Sequence, residues 1–197
     1  MKDIWYADNR DIVKWSVLHQ LARLEGAVRI LQIAYYRPSG FAHIQLDGQT
    51  HDVPDEVLDH FRNIRNITTV RSPVRTTVFD VPFENRAKYH ESAIHFLLAF
   101  DQERCLVFLD PDTGLEPQNN PGLEHVLDAE ARQVWDSMKT DDVLVFYQHQ
   151  TNRAGQPWMD PKRIQLAEAL GVDQHRVRVG YAPEIARDVA FFYMKKP

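Results

Sequence analysis

Apolar and polar positions alternate along this chain in two distinct rhythms. From Asp11 the apolar residues Ile12, Val13, Trp15, Val17, Leu18, Leu21, Ala22 and Leu24 recur at helical spacing. Asp8-Asn9 can cap that helix and Gly26 stops it. Val28 to Tyr36, VRILQIAYY, is rich in β-formers and predicts a strand closed by Pro38-Ser39-Gly40. Phe41 to Val53 predicts a hairpin insertion around Asp47-Gly48. Pro54-Asp55-Glu56 opens a helix to about Arg65, and Thr76 to Val81 is a short strand. A helix from Asn85 through Phe100 places Ala93, Phe96, Leu97 and Phe100 on one face.

Leu106 to Leu109 is an unbroken apolar run, as expected of a strand buried on both faces. It ends in Asp110-Pro111-Asp112-Thr113-Gly114, and the segment to Pro121 reads as loop. Helix is expected over Glu124 to Met138, strand over Asp142 to Gln148, a polar loop over His149 to Pro157 and helix over Asp160 to Leu170, stopped by Gly171. Val177 to Tyr181 and Val189 to Met194 read as two closing strands. This order predicts a single α/β domain over residues 1–197, with a mostly parallel sheet of about six or seven strands. The last connection is too brief for a crossover, so one closing strand should run antiparallel.

Composition narrows the function. The 197 residues carry a net charge of −5, which gives no global attraction to phosphate, although Arg62, Arg65, Arg71 and Arg75 cluster and Lys195-Lys196 end the chain. The bland reading of those charges is solvated surface. The one cysteine, Cys105, cannot form an internal disulfide or a thiolate metal site and reads as a core thiol. No apolar run suits a membrane span, and MKDIWYADNRD lacks the apolar core of a signal peptide, so a cytoplasmic protein is expected.

Candidate chemistry gathers at strand ends. Asp110 and Asp112 could polarise a substrate amine or hold a divalent cation, or each could simply close an Asx-turn. Gln148 and His149 follow a parallel strand and should share the edge with the Asp110 loop, where ligands bind in open α/β sheets. Asp11 and Lys14 are an i, i+3 pair, commonly a surface ion pair, and Trp15 reads as core. Tyr35 and Tyr36 could line a cleft mouth or pack in the core. His43, His51, His60, His90, His95 and His125 show no paired metal spacing, and HExxH, Walker A, GxSxG and CxxC are all missing.

The closing helix-strand-helix-strand-strand pattern is similar to the second half of the class I S-adenosylmethionine-dependent methyltransferase fold, with FLDPDTG in the place of the fourth-strand active-site loop. ADNRDIVKWSVLHQLAR followed by VRILQIAYY resembles the opening of the bacterial ribosomal RNA adenine N6-methyltransferases and of the three-Cys-motif partner proteins, with Asp11 and Lys14 at the matching signature positions. The resemblance implies a Rossmann-like methyltransferase-type domain that binds S-adenosylmethionine. It puts Asp11, Lys14, Tyr36, Gly40 and Asp80 at the cofactor end, Asp80 on the ribose hydroxyls. It puts Asp110, Asp112, Gln148 and His149 by an exocyclic amine of a nucleic acid. Two alternatives stand beside it. One is a metal-dependent phosphoesterase or nuclease, with Asp110, Asp112 and His149 holding Mg²⁺ or Mn²⁺. The other is a non-catalytic descendant that binds a protein partner through the cleft or the Phe41–Val53 hairpin.

Overall fold

The computed structural model describes residues 1–2, 7–38, 43–150, 152 and 156–197. Gly40, and the first two residues of the expected Phe41–Val53 insertion, lie outside them.

Helix α1 (Asn9–Glu25) begins where Asp8 accepts from the Arg10 and Asp11 N–H groups, and ends at Gly26, whose φ of 70° only glycine adopts freely. It buries Val13, Leu18, Leu21 and Ala22 against the sheet, while Ile12 and Leu24, which share its spacing, stay exposed. Strand β1 (Arg29–Ile33) is followed by a hairpin, β2 (His43–Leu46) and β3 (Gln49–Asp52), with every residue exposed. Helix α2 (Asp55–Phe61) is shorter than expected. Asn63 caps a separate 3₁₀ segment, Ile64–Thr69, which turns Ile64 and Ile67 inward. Strand β4 (Arg75–Phe79), helix α3 (Arg86–Leu98) and strand β5 (Cys105–Leu109) follow.

Here the chain departs from expectation. The presumed loop contains β6 (Gly114–Leu115), which pairs in parallel with β7 (His125–Val126), so helix α4 (Asp128–Ser137) starts later than Glu124. A two-residue pair carries no periodicity that a sequence can reveal. Strand β8 (Val143–His149), helix α5 (Met159–Leu170), β9 (Arg178–Ala182) and β10 (Ala186–Lys195) complete the chain.

The main sheet has the order β4-β1-β5-β8-β10-β9. All strands but one run parallel, and β10 lies antiparallel between β8 and β9. This is a Rossmann-like α/β architecture. Alternate side chains go to opposite faces. Ile30, Leu106, Phe108, Val145 and Phe191 pack under α1, and Leu31, Ile33, Val107, Leu109, Phe146 and Phe192 pack under α3, α4 and α5. Phe79, Ile33, Leu109 and Phe146 stand in register, so the carboxyl ends of four parallel strands share one edge. No helix among the described residues is long and apolar enough to cross a membrane.

Candidate functional site

At that edge lies a cleft of about 430 Å³, lined by α1 and by the segments after β1, β5 and β8. Asp110 forms its floor. Its N–H continues the ladder to Ile33 O at 3.0 Å, which fixes the residue at the strand end. Its carboxylate is buried, with Lys14 Nζ at 3.1 Å and Gln32 Nε2 at 2.7 Å, both on Oδ2. Lys14 Nζ also donates to Asp11 Oδ1 at 2.7 Å, and the Ala7 N–H holds Asp11 Oδ2 at 2.6 Å. Asp11 and Lys14 are therefore not a surface pair. They form a buried Asp–Lys–Asp chain with Asp110.

Burial pushes the Asp110 carboxyl above its usual range, although Lys14 and the Met1 amine pull the other way. Burial likewise works against the Lys14 charge, but Asp110 and Asp11 outweigh it and keep the ammonium charged. Two carboxyl groups thus share one ammonium in a dry setting.

The second aspartate faces different partners. Asp112 pairs with the Arg37 guanidinium and lies 3.3 Å from the Met1 amine. That amine donates to Ala34 O at 2.8 Å and to Tyr35 O at 2.6 Å, and burial pushes its pKa down to about 4. The Met1 sulfur sits 3.8 Å from Gln32 Nε2 and 3.9 Å from Lys14 Nζ. Two carbonyls at the end of β1 and one carboxylate thus form a cradle for an amino group, with a thioether beside it.

At the mouth, His149 Nε2 lies 3.1 Å from Asp188 Oδ2, and its Nδ1 lies 3.0 Å from Gln150 O. Arg10 grips the same Asp188 oxygen through Nη2 at 2.5 Å and Nε at 3.1 Å. Burial raises the Asp188 pKa, but Arg10 and His149 outweigh it and hold the carboxyl below its usual range.

The structure thus brings Asp11, Lys14, Asp110, Asp112 and His149 to one cleft. Three other expected residues go elsewhere. Gln148 is fully buried behind the edge: its Oε1 accepts from the Leu115 N–H at 2.9 Å and its Nε2 donates to His149 O at 2.8 Å, so its amide serves the β6 segment instead of a ligand. Asp80 is paired with Arg65 through two bonds, 2.5 and 3.0 Å, and does not line the cleft. Tyr36 packs beside Met1, Ala34 and Ile64 and bridges Pro82 through its backbone. Tyr35 turns into the core against Phe83, Tyr89 and His90. Its backbone adopts φ 44°, a left-handed conformation uncommon outside glycine, held there by Tyr89 Oη accepting from its N–H at 2.8 Å.

Four participants carry little sequence signal. Gln32 is the one polar residue within the apolar run Ile30–Ile33, and that misfit is a readable sign; its Oε1 has no partner among the described residues. Arg10, Arg37 and Asp188 look like ordinary surface charges in the sequence. Among the described residues no three His, Cys, Asp or Glu side chains gather around a common metal position. The oxygens of Asp110 and Asp112 already face Lys14 and Arg37, which a cation would have to displace. No protein-family model matches the chain, and no curated protein matches it in sequence.

Proposed function

We propose that the chain is an S-adenosylmethionine-dependent methyltransferase-like protein with its site in the β1–β5–β8 cleft, acting on an exocyclic amine of a nucleic acid. One observation carries this reading. Lys14, bonded to Asp11 of the first motif, reaches Asp110 of the second, 96 positions further along the chain, at 3.1 Å on the cleft floor. Both halves of the resemblance meet at one charge.

The cleft also fits the cofactor's methionine part. The chain's own Met1 stands in for it, with its amino group on Ala34 O, Tyr35 O and Asp112 and its sulfur beside Gln32 and Lys14. These residues would hold the cofactor, which supplies an electrophilic methyl group when bound. Lys14 and Gln32 keep Asp110 fixed, Arg37 offers a donor to a carboxylate, and Asp112 and His149 line the approach of an acceptor amine. The Mg²⁺ or Mn²⁺ hydrolase reading falls behind because both loop aspartates are taken by cations of the chain.

Thermal denaturation of the full chain with S-adenosylmethionine and S-adenosylhomocysteine tests the proposal. Stabilisation should rise with ligand concentration, reaching about 2.7 kcal/mol at a hundredfold excess over Kd. It should be lost in Asp112→Ala. No response to either compound at millimolar concentration overturns the reading. Binding without transfer to any amine-bearing RNA or DNA would leave the non-catalytic descendant, which the satisfied pairing of Asp110 favours.

A further inference from the structure

The β2–β3 hairpin and α2, residues 43–61, form an arm that buries no side chain. Only Val53 and Leu58 in it are half-buried. A two-stranded hairpin is marginal in water unless something covers one of its faces. The apolar positions of this arm are arranged for such cover. Ile44 and Leu46, two apart on β2, share a face, and Val57 and Phe61, four apart on α2, share another. Leu46 is 54% exposed and Phe61 61%. Charge along the same stretch falls into two blocks. Residues 43–61 hold Asp47, Asp52, Asp55, Glu56 and Asp59 and no Lys or Arg. Residues 62–75 hold Arg62, Arg65, Arg71 and Arg75 and no Asp or Glu. Arg65 and Arg75 pair with Asp80 and Glu103, yet both side chains stay more than half exposed, and Arg71 and Val70 are exposed between them.

We propose that a second copy of this chain covers the arm, in a two-fold dimer that sets each acidic arm on the arginine segment of the other copy. An isologous interface needs one continuous patch that is complementary to itself across the axis. An acidic block followed directly by a basic one is such a patch when the axis passes at their boundary. The apolar side chains of β2, α2 and Val70 then lie inside a charged rim, the usual anatomy of an interface. The extent is sufficient. Among residues 43–75 only Ile64, Ile67 and Val74 are buried, and a stable interface uses about 20–30 residues a side. Five carboxylates beside the arginines repel a phosphate backbone, so the occupant is a protein surface, and the chain carries the complementary one itself. The patch shares no residue with the cleft, and the dimer stands independently of the function proposed there.

Sedimentation equilibrium of the full chain tests this. At about 10 µM the mass should be twice that of one chain. Leu46→Ser/Phe61→Ser changes only exposed side chains and should leave a monomer. Glu56→Lys/Asp59→Lys makes the arm basic, and Arg65→Glu/Arg71→Glu makes the facing segment acidic. Either one alone sets like charges against each other at both contacts and should weaken the dimer about a hundredfold or more. Mixing the two variants restores opposite charges at both contacts, and the mixture should dimerise within about threefold of the native chain. That rescue also controls for folding, because one misfolded chain does not repair another. A chain that stays monomeric up to about 100 µM overturns the proposal and makes a different, basic protein the occupant of the arm. Dimerisation unchanged in all three variants overturns it as well. So does a mixture of the two charge-reversed variants that remains monomeric.

Discussion

Gln148 closes over Gly114. The glycine holds φ at +137°, and a methyl group in its place would run into the Gln148 side-chain amide. The same amide accepts from Leu115 N–H at 2.9 Å, so the first turn after the Asp110 loop is fixed by a buried side chain on β8. Gly114→Ala is expected to destabilise the fold by about 2–4 kcal/mol, through left-handed backbone strain and the collision. Gln148→Leu, which leaves the Leu115 N–H unpaired, should cost about 1–3 kcal/mol. Urea unfolding measures both. A neutral Gly114→Ala would show that the β6 segment can move away from β8.

Lys14→Met leaves Asp11 and Asp110 buried without their cation. Breaking a buried pair from one side costs about 3–5 kcal/mol. Adding Asp110→Asn should recover part of that loss, because the buried carboxylate is then gone. A double-mutant cycle by chemical denaturation measures the recovery, and strict additivity would mean that the 3.1 Å contact carries no coupling.

The pH dependence of stability should show two opposed slopes. Burial holds His19 and His125 below their usual 6.5, so the unfolded chain binds more protons in the window just under 6.5. Stability should therefore fall as the pH drops through that window. Burial raises Asp110 above 3.8, so there the folded state binds more protons, and stability falls as the pH rises through the window above 3.8. Melting temperature against pH should flatten near 6 in His19→Gln/His125→Gln. The acid limb should steepen in Asp110→Asn, where the opposing slope is removed.

Cys105 should resist modification in the native state. Its thiol is buried, and burial followed by the neighbouring Asp142 pushes its pKa up to about 11, so little thiolate exists at neutral pH. A disulfide reagent should label it only on unfolding, at the unfolding rate. Rapid stoichiometric labelling of folded protein would contradict this.

The sequence by itself determined the order of elements and the edge where chemistry gathers. Helical spacing, the Asp8 and Asn85 caps and the glycine stops at 26 and 171 are local, and local forces reproduce them in the fold. The buried run before Asp110 required a central strand, and parallel crossovers then required its end to face the same way as those of β1 and β8. Tertiary structure alone decided the pairings. Lys14 reads as a surface partner of Asp11 until packing of α1 across the sheet brings Asp110 to it, and long-range contacts of this kind leave no periodic trace. Gln148 and His149 are adjacent, yet the alternation of a strand sends one inward to β6 and the other to the cleft. The strand expected to run to Val81 ends at Phe79, which leaves Asp80 just beyond it, and Arg65, carried there by the 3₁₀ segment, takes its carboxylate. The phase of each side chain and the nearest opposite charge are set by packing, which no local pattern encodes.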